Sequence, residues 1–310
     1  MLWDEFCGLG DARACVLVLR ILPYGHPTIR GGNVSQTATA EAAPTTISKS
    51  DAWYPTSQRD MYVVKQLVTK DFKLKYRRSV LGIAWSVLNP LLMMCVQAVV
   101  FTQLMSRHDQ TIPNFPIYLI LGNTAWHLMS DATNRGMESI IHAQSLLKKV
   151  RINRWVFPVQ KVLFAVVNYV FSLAAVALVM AIFRWTLGPW ALLVPLGVLY
   201  LTVFCIGLSL LLSSLAVFFR DVIHLWGVVL TAWMYLTPLF YSITILPGWM
   251  QSLMRFNPMY LYITFIRRCL LWKMNPGLLV HGGCIVYALV MLAIGYAVFR
   301  KTEDRFILFI

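Results

Sequence analysis

Residue types able to do chemistry are sparse in this chain and scattered. The six histidines, at 26, 108, 127, 142, 224 and 281, contain no i, i+4 pair. The six cysteines, at 7, 15, 95, 205, 269 and 284, contain no CxxC. Neither pattern can assemble the close ligand set that a zinc site needs. A Gly-Lys dipeptide is absent, so there is no phosphate-cradling Walker loop, and no HExxH, GxSxG or GxGxxG stands in a supporting context. The acidic residues number 13, and none falls inside the six long uncharged stretches of the chain. A carrier driven by protons or sodium keeps an ionisable group at membrane depth. Without one, and without a nucleotide loop, work must be supplied by another polypeptide, and no cofactor is expected on this one. Within the uncharged stretches Asn89-Pro90 stands out, because proline frees a backbone carbonyl and bends a helix. Helix packing explains such polar residues as readily as a pathway does. Arg220-Asp221 sits between two stretches and reads either as a salt bridge or as a solvated pair contributing about 0–1 kcal/mol.

The elements that must carry these residues are membrane helices. Hydrophobic residues make up 58% of the 310 and charged residues 13%, with a mean hydropathy of +0.65; soluble domains carry roughly 25% charged residues. A helix crosses the hydrocarbon core with roughly 20 apolar residues. Stretches free of Asp, Glu, Lys and Arg cover 79–106 (28 residues), 110–130 (21), 162–183 (22), 185–219 (35), 222–254 (33) and 274–299 (26). Each predicts one crossing. Pro189 places the start of the fourth helix near Trp190, and Pro238 and Pro247 end the fifth. The fold class is therefore an all-α membrane protein with six transmembrane helices. Cys95, Cys205 and Cys284 fall in the apolar stretches and read as small core residues.

A net charge of +14 does not imply nucleic acid, because Lys and Arg gather between the apolar stretches. With alternating crossings, 17 of them fall on one side and 6 on the other. The positive-inside rule puts the richer side, and both ends of the chain, in the cytoplasm.

Residues 1–52 read as an extension ending in a Ser/Thr/Ala-rich linker, and 53–310 as the membrane domain. Over 57–75, Met61, Val64, Leu67, Val68 and Phe72 recur at helical spacing while Arg59, Lys65, Lys70 and Lys73 take the other positions. That pattern predicts a basic amphipathic helix in the interface. Over 138–154 a mixed apolar and basic pattern predicts a short helix, either a solvated loop element or one that docks on a soluble partner. Residues 243–273, broken by Pro247 and Asn257-Pro258, predict two short aromatic-rich pieces at the outer headgroup level.

Six segments in order carry a resemblance. They are YRRSVLGIAWSVLNPLL at 76–92, LGNTAW at 121–126, SLLKKVRINRWVFP at 145–158 and FFRD at 218–221. TPLFY at 237–241, with Leu246-Pro247 and Asn257-Pro258, and FRKTEDRF at 299–306 complete them. Together they resemble ABC-2 permeases that export O-antigen, capsule or teichoic acid. The likeness covers about 54–310; residues 1–50 are not required by it, and 151–155 look longer than usual.

The resemblance implies a homodimer in the bacterial inner membrane with two copies of a separate ATPase, which holds the ATP and Mg. It implies a cytoplasmic coupling helix involving Ile141, Ser145, Leu146, Lys148, Lys149 and Arg151. A gating interfacial helix would use Lys65, Lys70, Arg77 and Arg78, and short outer helices would be re-entrant. A lipid-linked glycan would pass along candidates Trp85, Asn89, Phe101, Trp233 and Tyr235, which also read as packing or lipid-facing residues. An ABC-2 permease for a drug or small lipid shares this architecture. A membrane-embedded glycosyl- or acyltransferase would need clustered acids or histidines, whereas the interior loops offer only Asp131, Glu138 and His142.

Overall fold

The computed structural model describes residues 56–76, 82, 84–105, 112–148 and 152–309. Among them every regular element is helical. Helix α1 spans Thr56–Tyr76, α2 Ala84–Met105, α3 Phe115–His142, α4 Gln144–Leu147 and α5 Val156–Ile182. A 3₁₀ turn at Pro189–Leu193 leads into α6, Val194–Phe218, and α7 is Val222–Leu236. Between α7 and the last long helix lie α8, Gly248–Met254, and α9, Pro258–Leu270. Helix α10 spans Leu278–Thr302, and a 3₁₀ turn then leads to α11, Phe306–Phe309.

Four helical segments are long and apolar enough to cross a membrane: Ala84–Phe101, Val156–Ile182, Pro189–Phe218 and Leu278–Arg305. The remaining two expected crossings differ from the plain apolar pattern. Helix α3 has 28 residues, about 42 Å at 1.5 Å per residue, but its inner third carries Asp131, Arg135 and Glu138. The bundle surrounds α3 over most of its length, so it needs no lipid-facing apolar surface. Its start is set by Asn114, whose side chain accepts from Ile117 N at 3.2 Å. Helix α7 has only 15 residues and stops before Thr237-Pro238.

Two boundaries shift from the charge-free stretches because neighbours neutralise charge. Helix α3 runs past Ser130 since Asp131 and Arg135, one turn apart, pair at 2.6 Å. Helix α5 begins at Val156 rather than 162 since Lys161 meets Asp71 of α1 at 2.6 Å. The predicted short helix over 138–154 is not one element. Its first part is the end of α3, and after Ala143 only the single turn α4 follows.

Helix α1 forms as expected and lies along α5. Asp71 accepts from Gln160 at 2.9 Å as well as from Lys161, Lys75 donates to Asn168 at 2.9 Å, and Asp60 accepts from Asn153. Phe72 stacks on Phe171 with centroids 5.5 Å apart. Val64 is buried, but Met61 of the predicted apolar face is 67% exposed.

Residues 243–273 depart from the expected pair of surface pieces. Helix α9 sinks against α3, α6 and α10, burying Tyr262, Phe265 and Ile266, while Trp249 and Phe256 stay exposed. Asn257 builds its start, accepting from Met259 N and Tyr260 N and donating to Thr237 Oγ1 at 3.0 Å. Arg267 is almost wholly buried, and no carboxylate among the described residues pairs with it. Its guanidinium instead donates to the carbonyls of Tyr118, Pro238 and Leu239 at 2.8–3.3 Å and lies over the Tyr118 ring. Three backbone carbonyls and one ring thus take the place of a counter-ion for this buried charge. Of the expected core cysteines, Cys205 and Cys284 are buried; Cys95, on the sparsely covered α2, is exposed.

Candidate functional site

A cavity of about 460 Å³ opens between the end of α1 and helices α2, α3 and α5. Its origin lies in Pro90. Lacking an N–H, Pro90 leaves the Ser86 carbonyl without its helical partner. Ser172 of α5 supplies one, donating at 3.3 Å. Helices α2 and α5 thus meet at a polar contact on the edge of this cavity.

The cavity is lined by groups that bind hydroxyls and anions. Trp85 and Asn89, one turn apart on α2, both face it, as do Lys75, His127, Asp131, Arg135 and Asn168. Lys75 and Arg135 lie 5.8 and 5.4 Å from the Phe164 ring, from opposite neighbours α1 and α3. The Arg135–Asp131 pair is partly exposed, so its guanidinium retains water-facing donors. Lys75, Arg135 and Asp131 give the crevice a formal net charge of +1, beside an indole that is 46% exposed. Such a wall of amides, cations and one aromatic face suits a sugar bearing a phosphate better than an apolar molecule.

Of the five pathway candidates, the structure brings only Trp85 and Asn89 together. Phe101 is several turns further on and stacks on Phe240 at 5.3 Å. Trp233 packs edge-on against Trp126 and Trp226, at 5.9 and 6.5 Å, and donates to Asn257 at 2.9 Å, so it serves the α7–α9 junction. Tyr235 is exposed on α7.

Around α4, Ile141 and Leu146 are half-buried, and Ser145 and Lys148 are exposed; Lys149 and Arg151 lie outside the described residues. On α1, Lys65 and Lys70 are exposed, while Arg77 and Arg78 lie outside the described residues. No ion pair joins Arg220 and Asp221, and both are exposed. Adjacent residues entering a helix turn away from each other; Asp221 and Arg220 contribute their carbonyls to Leu225 and Ile223 instead.

Sequence reasoning missed Lys75, His127, Asp131, Arg135, Asn168 and Ser172 as one site. The usable signal was the Asp131/Arg135 spacing just past an uncharged stretch, which marks a helix continuing with its charges paired.

Residues 62–271 match the ABC-2 type transporter family. The chain is 35% identical over 199 residues to O-antigen export system permease protein RfbA of Myxococcus xanthus, covering 62% of this chain and 74% of that protein. It is 26% identical over 253 residues to the protein of the same name from Klebsiella pneumoniae, covering 80% and 93%. To the capsule polysaccharide export inner-membrane protein CtrC of Neisseria meningitidis it is 22% identical over 200 residues, covering 64% and 74%. With the family matched across two thirds of its length, and helices fit to cross a membrane several times, this chain is a multi-pass membrane transport subunit, not an enzyme, and belongs to the ABC-2 type transporter family.

Proposed function

We propose that this chain is the permease of an ABC exporter that moves a lipid-linked polysaccharide of the O-antigen or capsule type across the bacterial inner membrane. The observation that carries the reading is the +1 crevice of about 460 Å³ beside Trp85 and Asn89, in a chain with no nucleotide loop of its own. Lys75 and Arg135 would meet the phosphate of the lipid carrier, and Trp85 and the amides the first sugars. The relatives named for polysaccharide export favour this cargo over a drug or small lipid.

In this reading the membrane is crossed six times, with both ends in the cytoplasm. Helix α3 crosses inside the protein, and α7 completes its short span with 237–241. Two copies meet through α2 and α7, whose Val96, Val99, Leu225 and Val228 are 61–74% exposed, and α9 with its flanking turns forms the re-entrant outer gate. A separate ATPase holding ATP and Mg docks at α4 through Ile141, Ser145, Leu146, Lys148, Lys149 and Arg151. Its stroke reaches α1, whose exposed Lys65 and Lys70 would face the lipid headgroups, with Arg77 and Arg78 next in the sequence adding to that gate.

Deleting the gene tests the reading. Completed glycan on its lipid carrier should accumulate inside the cytoplasmic membrane, with glycan synthesis intact. Surface glycan at the wild-type level, or loss of synthesis itself, would refute it. In nanodiscs the chain alone should hydrolyse no ATP, and its ATPase subunit should hydrolyse faster when this chain is present.

A further inference from the structure

We infer that the segment after α10, residues Glu303–Phe309, is the mounting of the docking turn α4, with Arg154 and Phe306 as its positioning residues. The inference rests on the reading of α4 as the ATPase dock. Helix α4 has one turn and buries no residue, so it cannot hold its own orientation; isolated helices this short do not persist in water. What flanks it does the holding.

A second apolar cluster, separate from the main core, lies at this end of the bundle. It buries Ile140, Leu210, Val217, Phe299 and Phe306. Packed against it are Ile141, near the end of α3, Leu147, the last residue of α4 itself, and Trp155, which opens α5. Phe306 is fully buried although it belongs to a four-residue helix. Its ring sits 5.3 Å from Phe299 and 5.9 Å from Phe218, and Phe309 adds a second ring 4.9 Å from Phe218.

A polar contact closes the other side. The Arg154 guanidinium donates to the Glu303 carbonyl and lies 3.7 Å from Asp304 Oδ1. The turn itself is set by Arg300, which pairs with Glu303 at 2.6 Å. Residues before and after α4 therefore both end on Glu303–Phe306. A partner pushing on α4 pushes against this segment, so its integrity should govern how tightly the partner docks.

The test uses the full chain in nanodiscs, titrated with its ATPase subunit while ATP hydrolysis is followed. Phe306→Ala and Arg154→Ala should each raise the subunit concentration for half-maximal stimulation about tenfold with the plateau rate near wild type. Arg154→Ala should also leave the permease melting temperature near wild type, whereas Phe306→Ala, which empties a buried site, should lower it. Phe306→Leu, which keeps the apolar volume, should restore most of the affinity. Leu146→Glu, placed on α4 itself, should abolish stimulation. Stimulation by both mounting variants within twofold of wild type, with Leu146→Glu inactive, would overturn the mounting and leave the dock standing. A lowered melting temperature with a lowered plateau would also overturn it, since the segment would then serve only the fold. If Leu146→Glu stimulates like wild type, the dock and the mounting fall together.

Discussion

Helices α6 and α10 cross with their backbones in contact, whereas α2 and α7 are scarcely covered by the rest of the chain. At the first crossing a Cβ on Gly295 would overlap the Gly207 carbonyl, and one on Gly207 would lie 2.5 Å from the Met291 carbonyl. Small residues permit this approach, which is how helices associate where the hydrophobic effect gives no preference between lipid and protein. On α2 only 6% of the apolar stretch is buried, and on α7 only Trp226 and Leu230. Those two helices are held at polar points: Gln97 to Asn123, Ser172 to Ser86, Trp226 to Thr133 at 3.3 Å, and Trp233 to Asn257. A few hydrogen bonds can exchange partners as a helix shifts, and an interlocked backbone cannot. The contrast separates a frame, α3, α5, α6 and α10, from two helices that the rest of the chain leaves largely exposed.

The largest effect is expected where the two regions are fastened together. Arg267→Met would remove the charged donor shared by three buried carbonyls, one from α3 and two from the stretch that follows α7, while Pro238 would keep the Tyr118 hydroxyl. Hydrogen bonds to a charged group contribute about 1.5–3 kcal/mol each, so with partial relaxation the loss should be about 4 kcal/mol. Thermal unfolding in detergent reads it, and a change under 1 kcal/mol would mean that the guanidinium is not the fastener.

Next comes the frame itself. Gly295→Leu forces side-chain atoms into the Gly207 backbone and should cost about 3 kcal/mol. Gly227→Leu on α7, where nothing lies within 4 Å, should change stability by less than about 0.5 kcal/mol. Equal destabilisation at the two sites would break the distinction between frame and exposed helices.

The crevice between the regions should respond in transport and not in folding. Arg135→Ala removes a surface ion pair contributing about 0.3–0.5 kcal/mol, so the melting temperature should hardly move. Surface glycan per permease should nonetheless fall about tenfold, if one charge-assisted contact of about 1.4 kcal/mol is lost. Unchanged export would remove Arg135 from the cargo path. The smallest effect belongs to Arg220 and Asp221. Reversing either charge, or both together, should leave stability within about 0.5 kcal/mol, and a rescue of either reversal by the other would restore the salt bridge that the structure lacks.

The helical membrane class, the basic helix α1 and the turns at Pro189, Pro238 and Asn257-Pro258 were legible in the residues, because hydrophobic length, periodicity and proline act locally. Half of the crevice was legible too, since Asn89-Pro90 announces a freed carbonyl and Trp85 lies one turn away. Its other half was not, because Asp131, Arg135 and Asn168 are unremarkable loop or helix residues until α3 and α5 bring them to α2. For the same reason the end of α3 reads along the chain as part of a connection with a separate short helix from residue 138, its charges appearing unpaired.

Local chemistry thus determined that this chain lives in a membrane, which segments are helical and that it carries no nucleotide loop of its own. Tertiary structure decided which charges could be buried, as with Lys161 against Asp71 and Arg267 against three carbonyls, and which aromatics are packing rather than path. It also decided that the chain's last turns pack on α6 and receive Arg154, which follows α4. Burial and partnership are properties of neighbours distant in sequence, and only folding chooses those neighbours.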